Sequence, residues 1–428
     1  MAMKRKLLFG ERMLHGDGNT PFNAVIPFRL RGVFFEADLH HIFGKLQEKH
    51  PWLNAFVKDD EKQRPWFIVD EAQSVKIPVR IVIRTGDDDW QTESQKEWHT
   101  PFDTAKGPLI RLVWIKDDAV SDMIFTIHHC LCDGGSAMSI LTELLQLLDD
   151  PNADIGKEDP IKGVEDIIPW AILNNKKKQI KAKLIGGLAT LALRLIPVKN
   201  NAVDRKRDYL IHWKFDQELS KDLVIYCKSA GITVNTMLCG VVLSAFKQVR
   251  KEQAHNKVSC PVDIRRFAPE IKKDQIFAFG LMLVASAYPG LDFLDNIKAM
   301  QKDIDKKSAK LDPYATIMMM ESAHACMANF TKLLKNGKSS NDCMFSNLGK
   351  IDIPHQYQSF EMETIFSPSV IGPLGNTTTL VTSTYRGRMD FSFIASEGFI
   401  PYEEALAIKD KIISIINEQI GQVVVAVT

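Results

Sequence analysis

The run Met123-Ile124-Phe125-Thr126-Ile127 leads straight into His128 and His129, then Cys130-Leu131-Cys132-Asp133-Gly134-Gly135. After it, Ser136 to Leu148 carries apolar residues at helical spacing. A short apolar run bounded by turn residues reads as a strand buried on both faces, and the stretch after the glycines as a buried amphipathic helix. Strand, tight loop and helix in this order constrain the chain to an α/β design in which two histidines stand at a strand end.

The rest of the chain repeats that style. Ala24 to Leu30, Val79 to Ile83 and Leu109 to Ile115 read as strands, and Asp38 to Lys49 as a helix stopped by Pro51. Further on, strands are predicted at Asp208–Asp216, Val258–Asp263, Phe279–Tyr288, Asp342–Phe345, Leu380–Arg386 and Asp390–Ala395. Helices are predicted at Thr233–Arg250, Leu291–Lys310, Glu321–Leu334 and Glu403–Gln419. At 428 residues the chain exceeds one compact core. The reading is an N-terminal part, 1–150, a linker, 151–207, and a C-terminal part, 208–428.

Charge excludes one class. With 54 basic against 53 acidic side chains, the chain lacks the surplus a nucleic-acid binder uses against phosphates. The apolar stretch after Lys4, Arg5 and Lys6 is too short for a signal peptide or a membrane span. Seven cysteines, an odd number with no paired spacing, fit a reducing cytoplasm.

The linker stands apart. From Asn174 to Arg207 ten basic residues (Lys176, Lys177, Lys178, Lys181, Lys183, Arg194, Lys199, Arg205, Lys206, Arg207) face one acid, Asp204. Within it lies the apolar run Leu184 to Val198. One reading is an amphipathic helix on an anionic membrane or acidic partner; the other is a crossover whose apolar face packs on the protein. At about 15 residues the run is too short to span a bilayer, and the packed crossover is the preferred reading.

The histidine pair carries the chemistry. An imidazole at a strand end titrates near working pH and can serve as a general base. Gly134 and Gly135 let the backbone turn tightly, and free N–H groups at the helix start can face developing negative charge. Zinc ligation by Cys130, Cys132 and the histidines is a rival, but no second ligand pair completes the site, so no metal is expected. A structural His-His pair is the plain alternative.

The pattern His128-His129-x-x-x-Asp133-Gly134 resembles the active-site motif of the thioester-dependent acyltransferase superfamily. That group includes chloramphenicol acetyltransferase, peptide-synthetase condensation domains, wax ester synthases, alcohol acetyltransferases and plant BAHD acyltransferases. The resemblance continues in His50-Pro51-Trp52-Leu53, Pro101-Phe102-Asp103, Gly107-Pro108-Leu109-Ile110-Arg111, Pro261-Val262-Asp263-Ile264-Arg265, Phe345-Ser346-Asn347-Leu348-Gly349 and Thr384-Tyr385-Arg386-Gly387. The D-F-G-W-G motif of the plant branch is absent, and no carrier or adenylation segment is read in the 428 residues, so a module of a peptide-synthetase assembly line is not expected. The stand-alone bacterial group near alcohol acetyltransferases looks nearest.

The resemblance implies two similar α/β halves, each a mixed sheet with helices, and an active-site tunnel between them. It implies His129 as general base for direct attack of an acceptor hydroxyl on an acyl-CoA thioester, with no cofactor bound and the thioester as co-substrate. The N–H of Gly134 would hold the oxyanion, with Ser346 or Asn347 as further contacts. His128 would serve packing, and Cys130 and Cys132 small apolar filling. Asp133 would turn from the substrate and form a buried bidentate pair with Arg265, beside Asp263. Alternatives are an amide-forming enzyme using an amine acceptor or a carrier-protein thioester, and a binding protein without chemistry. The methionines Met318, Met319, Met320 and Met327 read mainly as core, with an acyl-binding wall as the lesser reading.

Overall fold

The computed structural model describes residues 3–70, 72, 75–196, 204–335, 339–372 and 376–427. Two six-stranded mixed sheets carry the fold, with a three-stranded sheet beside the first. The first sheet runs Glu361–Ile365, Asn23–Arg31, Val120–His128, Ile110–Lys116, Val79–Ile83. The histidine strand Val120–His128 is therefore central, paired on both edges along its length. Its residues alternate between two cores, as a pleated strand requires. Met123, Phe125 and Ile127 pack with the helices Glu36–Lys49 and Gly134–Asp149. Ile124 faces the other way, with Val25, Val113, Trp90 and Trp98, toward Leu210, Val381 and Ile394 of the second sheet.

The second sheet runs Gly280–Ser286, Lys257–Asp263, Cys343–Lys350, Thr379–Tyr385, Arg388–Ser396, Asp208–Lys214. The helices Gln217–Ser229, Val234–Arg250, Phe293–Ala309 and Tyr402–Val427 contribute to its core. The C-terminal part also lends strands to the first sheet: Glu361–Ile365 and Ser369–Ile371 both pair with Asn23–Arg31. A clean division at residue 208 therefore does not describe the sheets, because a piece of the C-terminal part completes the N-terminal one.

Several predicted elements fall differently. Glu321–Leu334 is not one helix: the helix Pro313–Ser322, capped by Asp312, ends there, a short 3₁₀ turn covers His324–Cys326, and a new helix runs Met327–Lys335. The helix Asp89–His99 escapes periodicity because its inner face holds carboxylates as well as tryptophans. Buried Glu93 and Glu97 pair with Arg80, and Glu97 also with Arg111. The basic start of the chain is a strand, Met3–Lys6, with Arg5 turned inward between Trp52 and Phe67 and hydrogen-bonded to Glu11 at 2.7 Å.

The linker is the clearest correction. It forms a 20-residue helix, Lys176–Leu195, but of its leucines only Leu193 packs on the protein, against the cluster of Phe9, Ala323, Cys326 and Met327. The buried face is the small one, Ala182, Gly186 and Thr190, and it lies on the helix Pro313–Ser322. Leu184, Leu188, Leu191 and Leu195 face outward. Periodicity alone assigns the larger apolar side chains to the core; close helix–helix approach selected the small ones instead. Among the described residues no single helix is long and apolar enough to cross a membrane.

Candidate active site

The histidine strand ends at His128, and the chain then turns through residues 129–133 into the helix Gly134–Asp149. The His129 N–H donates to the Phe22 carbonyl at 2.7 Å, and the Asp133 N–H to the Phe277 carbonyl at 2.9 Å. The loop is thus pinned on one side by the N-terminal segment and on the other by the C-terminal part.

His129 Nδ1 lies 3.0 Å from the Cys132 carbonyl oxygen. A carbonyl can only accept, so Nδ1 carries the hydrogen and the lone pair of the neutral ring resides on Nε2. Among the described residues no hydrogen-bond partner engages Nε2. The edge of the ring meets Phe22 at a centroid distance of 5.6 Å. Burial lowers the pKa of His129, against the Cys132 carbonyl and the Asp133 charge, which favour the imidazolium. The ring is therefore a neutral base with a fixed tautomer.

His128 is different in kind. It is fully buried, and burial together with the nearby His15, His129 and Arg111 pushes its pKa down to about 3. Its Nδ1 accepts from the Cys130 N–H at 3.3 Å, and its ring sits 6.1 Å from both Phe102 and His15. Arg111 in turn stacks over Phe102 at 4.0 Å. This histidine is a packed, neutral ring behind the site. Cys130 and Cys132 are buried in the first core, and burial raises both thiols far above their ordinary value, which keeps them protonated filling.

Asp133 caps the following helix by accepting the Ser136 N–H at 2.9 Å. Arg265 reaches it from the 3₁₀ turn Ile264–Arg266, as the resemblance implies, but the pair is not a two-pronged fork. One guanidinium nitrogen, Nη1, meets both Asp133 oxygens at 2.9 and 3.1 Å and Asp263 Oδ1 at 3.2 Å. Nη2 turns to Ser136 Oγ at 2.8 Å and the Gln275 carbonyl at 3.1 Å. The guanidinium also lies over the Phe277 ring at 4.5 Å. Asp263 accepts the Arg265 N–H at 2.9 Å, which fixes the turn. Arg266 is exposed.

Gly134 and Gly135 are not turn glycines. Both are already helical, and their smallness admits neighbours: a Cβ on Gly135 would lie 2.9 Å from Arg265 Nη1, and one on Gly134 would lie 3.2 Å from Leu348. Leu348 belongs to the strand Cys343–Lys350, which also holds Ser346 and Asn347. Asn347 Oδ1 accepts the Gly349 N–H at 2.8 Å where the strand breaks register and Gly349 takes φ +70°.

His50-Pro51-Trp52-Leu53 organises the core, in the same cluster as Cys130, Leu131 and Cys132. His50 bridges Glu158 at 2.8 Å and Glu143 at 2.6 Å, Lys49 joins Glu143 at 2.7 Å, and Trp52 Nε1 donates to the Ile161 carbonyl. Sequence reasoning missed two residues of the site, His15 and Phe22. They come from a stretch, residues 15–22, that has no periodicity, and only the fold brings it to a loop more than a hundred residues later.

A family model for the condensation domain matches residues 5–319. The chain belongs to the condensation domain family. Among curated proteins, a linear gramicidin synthase of Brevibacillus parabrevis is 24% identical over 174 residues, which is 39% of this chain. The chain spans only 3% of that relative's length. Among solved structures, the trichothecene 15-O-acetyltransferase TRI3 of Fusarium sporotrichioides superposes with a TM-score of 0.74 at 13% identity, covering 97% of this chain and 95% of that one. Polyketide synthase associated protein 5 of Mycobacterium tuberculosis gives 0.66 at 16% identity, covering 98% and 100%. At such identities the two structures share the fold with this condensation domain, and its two sheets and central histidine strand are that fold.

Proposed function

We propose that this chain is an acyltransferase that moves an acyl group from a thioester directly to an acceptor hydroxyl, with His129 as general base. The observation that carries the reading is the hydrogen bond from His129 Nδ1 to the Cys132 carbonyl, which leaves Nε2 as the basic atom. Nε2 takes the proton of the acceptor O–H while the oxygen attacks the thioester carbonyl carbon. The tetrahedral oxyanion forms near the start of the helix Gly134–Asp149, where the Gly134 N–H is the nearest donor in sequence. The C–S bond then breaks, and the departing sulfur recovers the proton from Nε2. No acyl-enzyme is needed, in keeping with the buried, protonated state of Cys130 and Cys132.

Acyl-CoA is the proposed donor and Ser346 and Asn347 are proposed substrate contacts, since Leu348 of the same strand meets Gly134. The kinship with a gramicidin synthase supports a second reading, in which the donor is a carrier-protein thioester and the acceptor an amine. Thiol release from acyl-CoA and from acyl-loaded carrier protein, each with alcohol and amine panels, separates the two. Ester formation from acyl-CoA is expected. Amide formation alone would favour the second reading, and no thiol release with any pair would defeat both.

A further inference from the structure

We propose that the helix Lys176–Leu195 is a docking face by which this protein lies on an anionic lipid bilayer. This surface goes beyond the acyl-transfer reading and does not depend on it. The inward face of the helix is fully specified: Ala182, Gly186 and Thr190 are buried, and a Cβ on Gly186 would lie 2.9 Å from Ser322. The outward face is a straight apolar stripe. Ile180, Leu184, Leu188, Leu191 and Leu195 recur at spacings of four, four, three and four, and each is 55–74% exposed. Trp170, on the short helix just before, is 79% exposed. A soluble surface rarely leaves so many large apolar side chains in one row without an occupant.

Charge identifies the occupant. The helix contains five lysines, one arginine and no acid. Among the described residues only Lys178 has a carboxylate partner, Asp312 at 3.7 Å, so the other cations face solvent uncompensated. Lys181 and Lys183 lie to either side of the stripe, and Arg194 continues the second row. An apolar stripe between basic rows with a tryptophan near one end is the composition of a helix lying in the headgroup plane, its lysine stems along the apolar surface and its charges at the phosphates. A second copy of the chain would set these basic rows against each other. At 20 residues the helix is about 30 Å long, and since its opposite face is held by the protein it lies along the bilayer rather than across it.

The test is co-sedimentation of the full chain with vesicles of phosphatidylcholine alone and of phosphatidylcholine with phosphatidylserine. The protein should bind the anionic vesicles, bind neutral ones weakly, and be released by salt. The exposed variant L184Q/L188Q/L191Q and the variant K181Q/K183Q should each weaken anionic binding at least about tenfold, with thermal unfolding unchanged. No binding to anionic vesicles, or binding indifferent to both variants, would overturn the proposal. So would a dimer in size-exclusion chromatography that the triple variant dissolves, because the stripe would then belong to a second copy.

Discussion

Asp133→Asn and Arg265→Met should each lower stability and acyl transfer, by unequal amounts that the hydrogen bonds foretell. In Asp133→Asn the amide oxygen still accepts the Ser136 N–H, and Arg265 keeps Ser136 Oγ, the Gln275 carbonyl and Asp263. What is lost is the 2.9 Å contact, where an amide NH2 would face the Nη1 donor, and the charge-assisted part of the one at 3.1 Å, about 2 kcal/mol in all. Arg265→Met removes every guanidinium bond and leaves the Asp133 carboxylate, 16% exposed, with the Ser136 N–H alone, so about 3 kcal/mol is expected, near the low end for breaking a buried pair. The double variant should cost less than the sum of the singles by at least about 1 kcal/mol, since the two residues share their contacts. Urea unfolding of the four proteins gives the cycle, and acyl-transfer rates give its functional counterpart. Additive losses within about 0.5 kcal/mol would refute the claim that this pair ties the histidine loop to the second part of the chain.

Gly135→Ala should cost about 1–3 kcal/mol in the same unfolding assay, because its Cβ meets Arg265 Nη1 at 2.9 Å where the guanidinium is held by four neighbours; unchanged stability would mean that Arg265 yields freely. His50 is opposed by burial, but Glu143 and Glu158 more than offset it and raise its pKa, so its contribution is complete below about pH 6.5 and fades as pH rises through the raised value. His50→Gln should be less stable at low pH and lose that decline, which a pH series of melting curves will read. His128, held near pKa 3, has the opposite sign: the unfolded chain binds a proton that the folded one refuses, so stability falls as pH drops from about 6.5 toward 3, and His128→Asn should blunt that fall. Met320 packs between two clusters beside Ile317 and Phe9, so Met320→Trp should leave acyl chain-length preference unchanged if it is core alone; a shift would place it on the acyl-binding wall.

The histidine loop was legible because its signal is local: an apolar run, two histidines, the break at Asp133-Gly134-Gly135 and a helical pattern after it. The tie between Asp133 and Arg265 was reached only through the resemblance, since 132 positions separate them and no periodicity relates them. His15 and Phe22 were missed for the same reason, without a motif to compensate. The strands Glu361–Ile365 and Ser369–Ile371 are short and take their partner from the other end of the chain, so their meaning is tertiary. Asp89–His99 hides as a polar helix because arginines on neighbouring strands neutralise its buried carboxylates. In Lys176–Leu195, steric closeness decided which face turned inward, and hydrophobicity did not.

The most direct test of the central claim is the acyl-transfer rate of His129→Ala beside His128→Ala, each with its unfolding curve. With Nε2 of His129 as the base, His129→Ala should stay folded and lose about 10²- to 10⁴-fold in rate, while His128→Ala loses less and is the less stable of the two. If His129→Ala kept its rate while His128→Ala abolished turnover, the base would be misassigned and the account would fail.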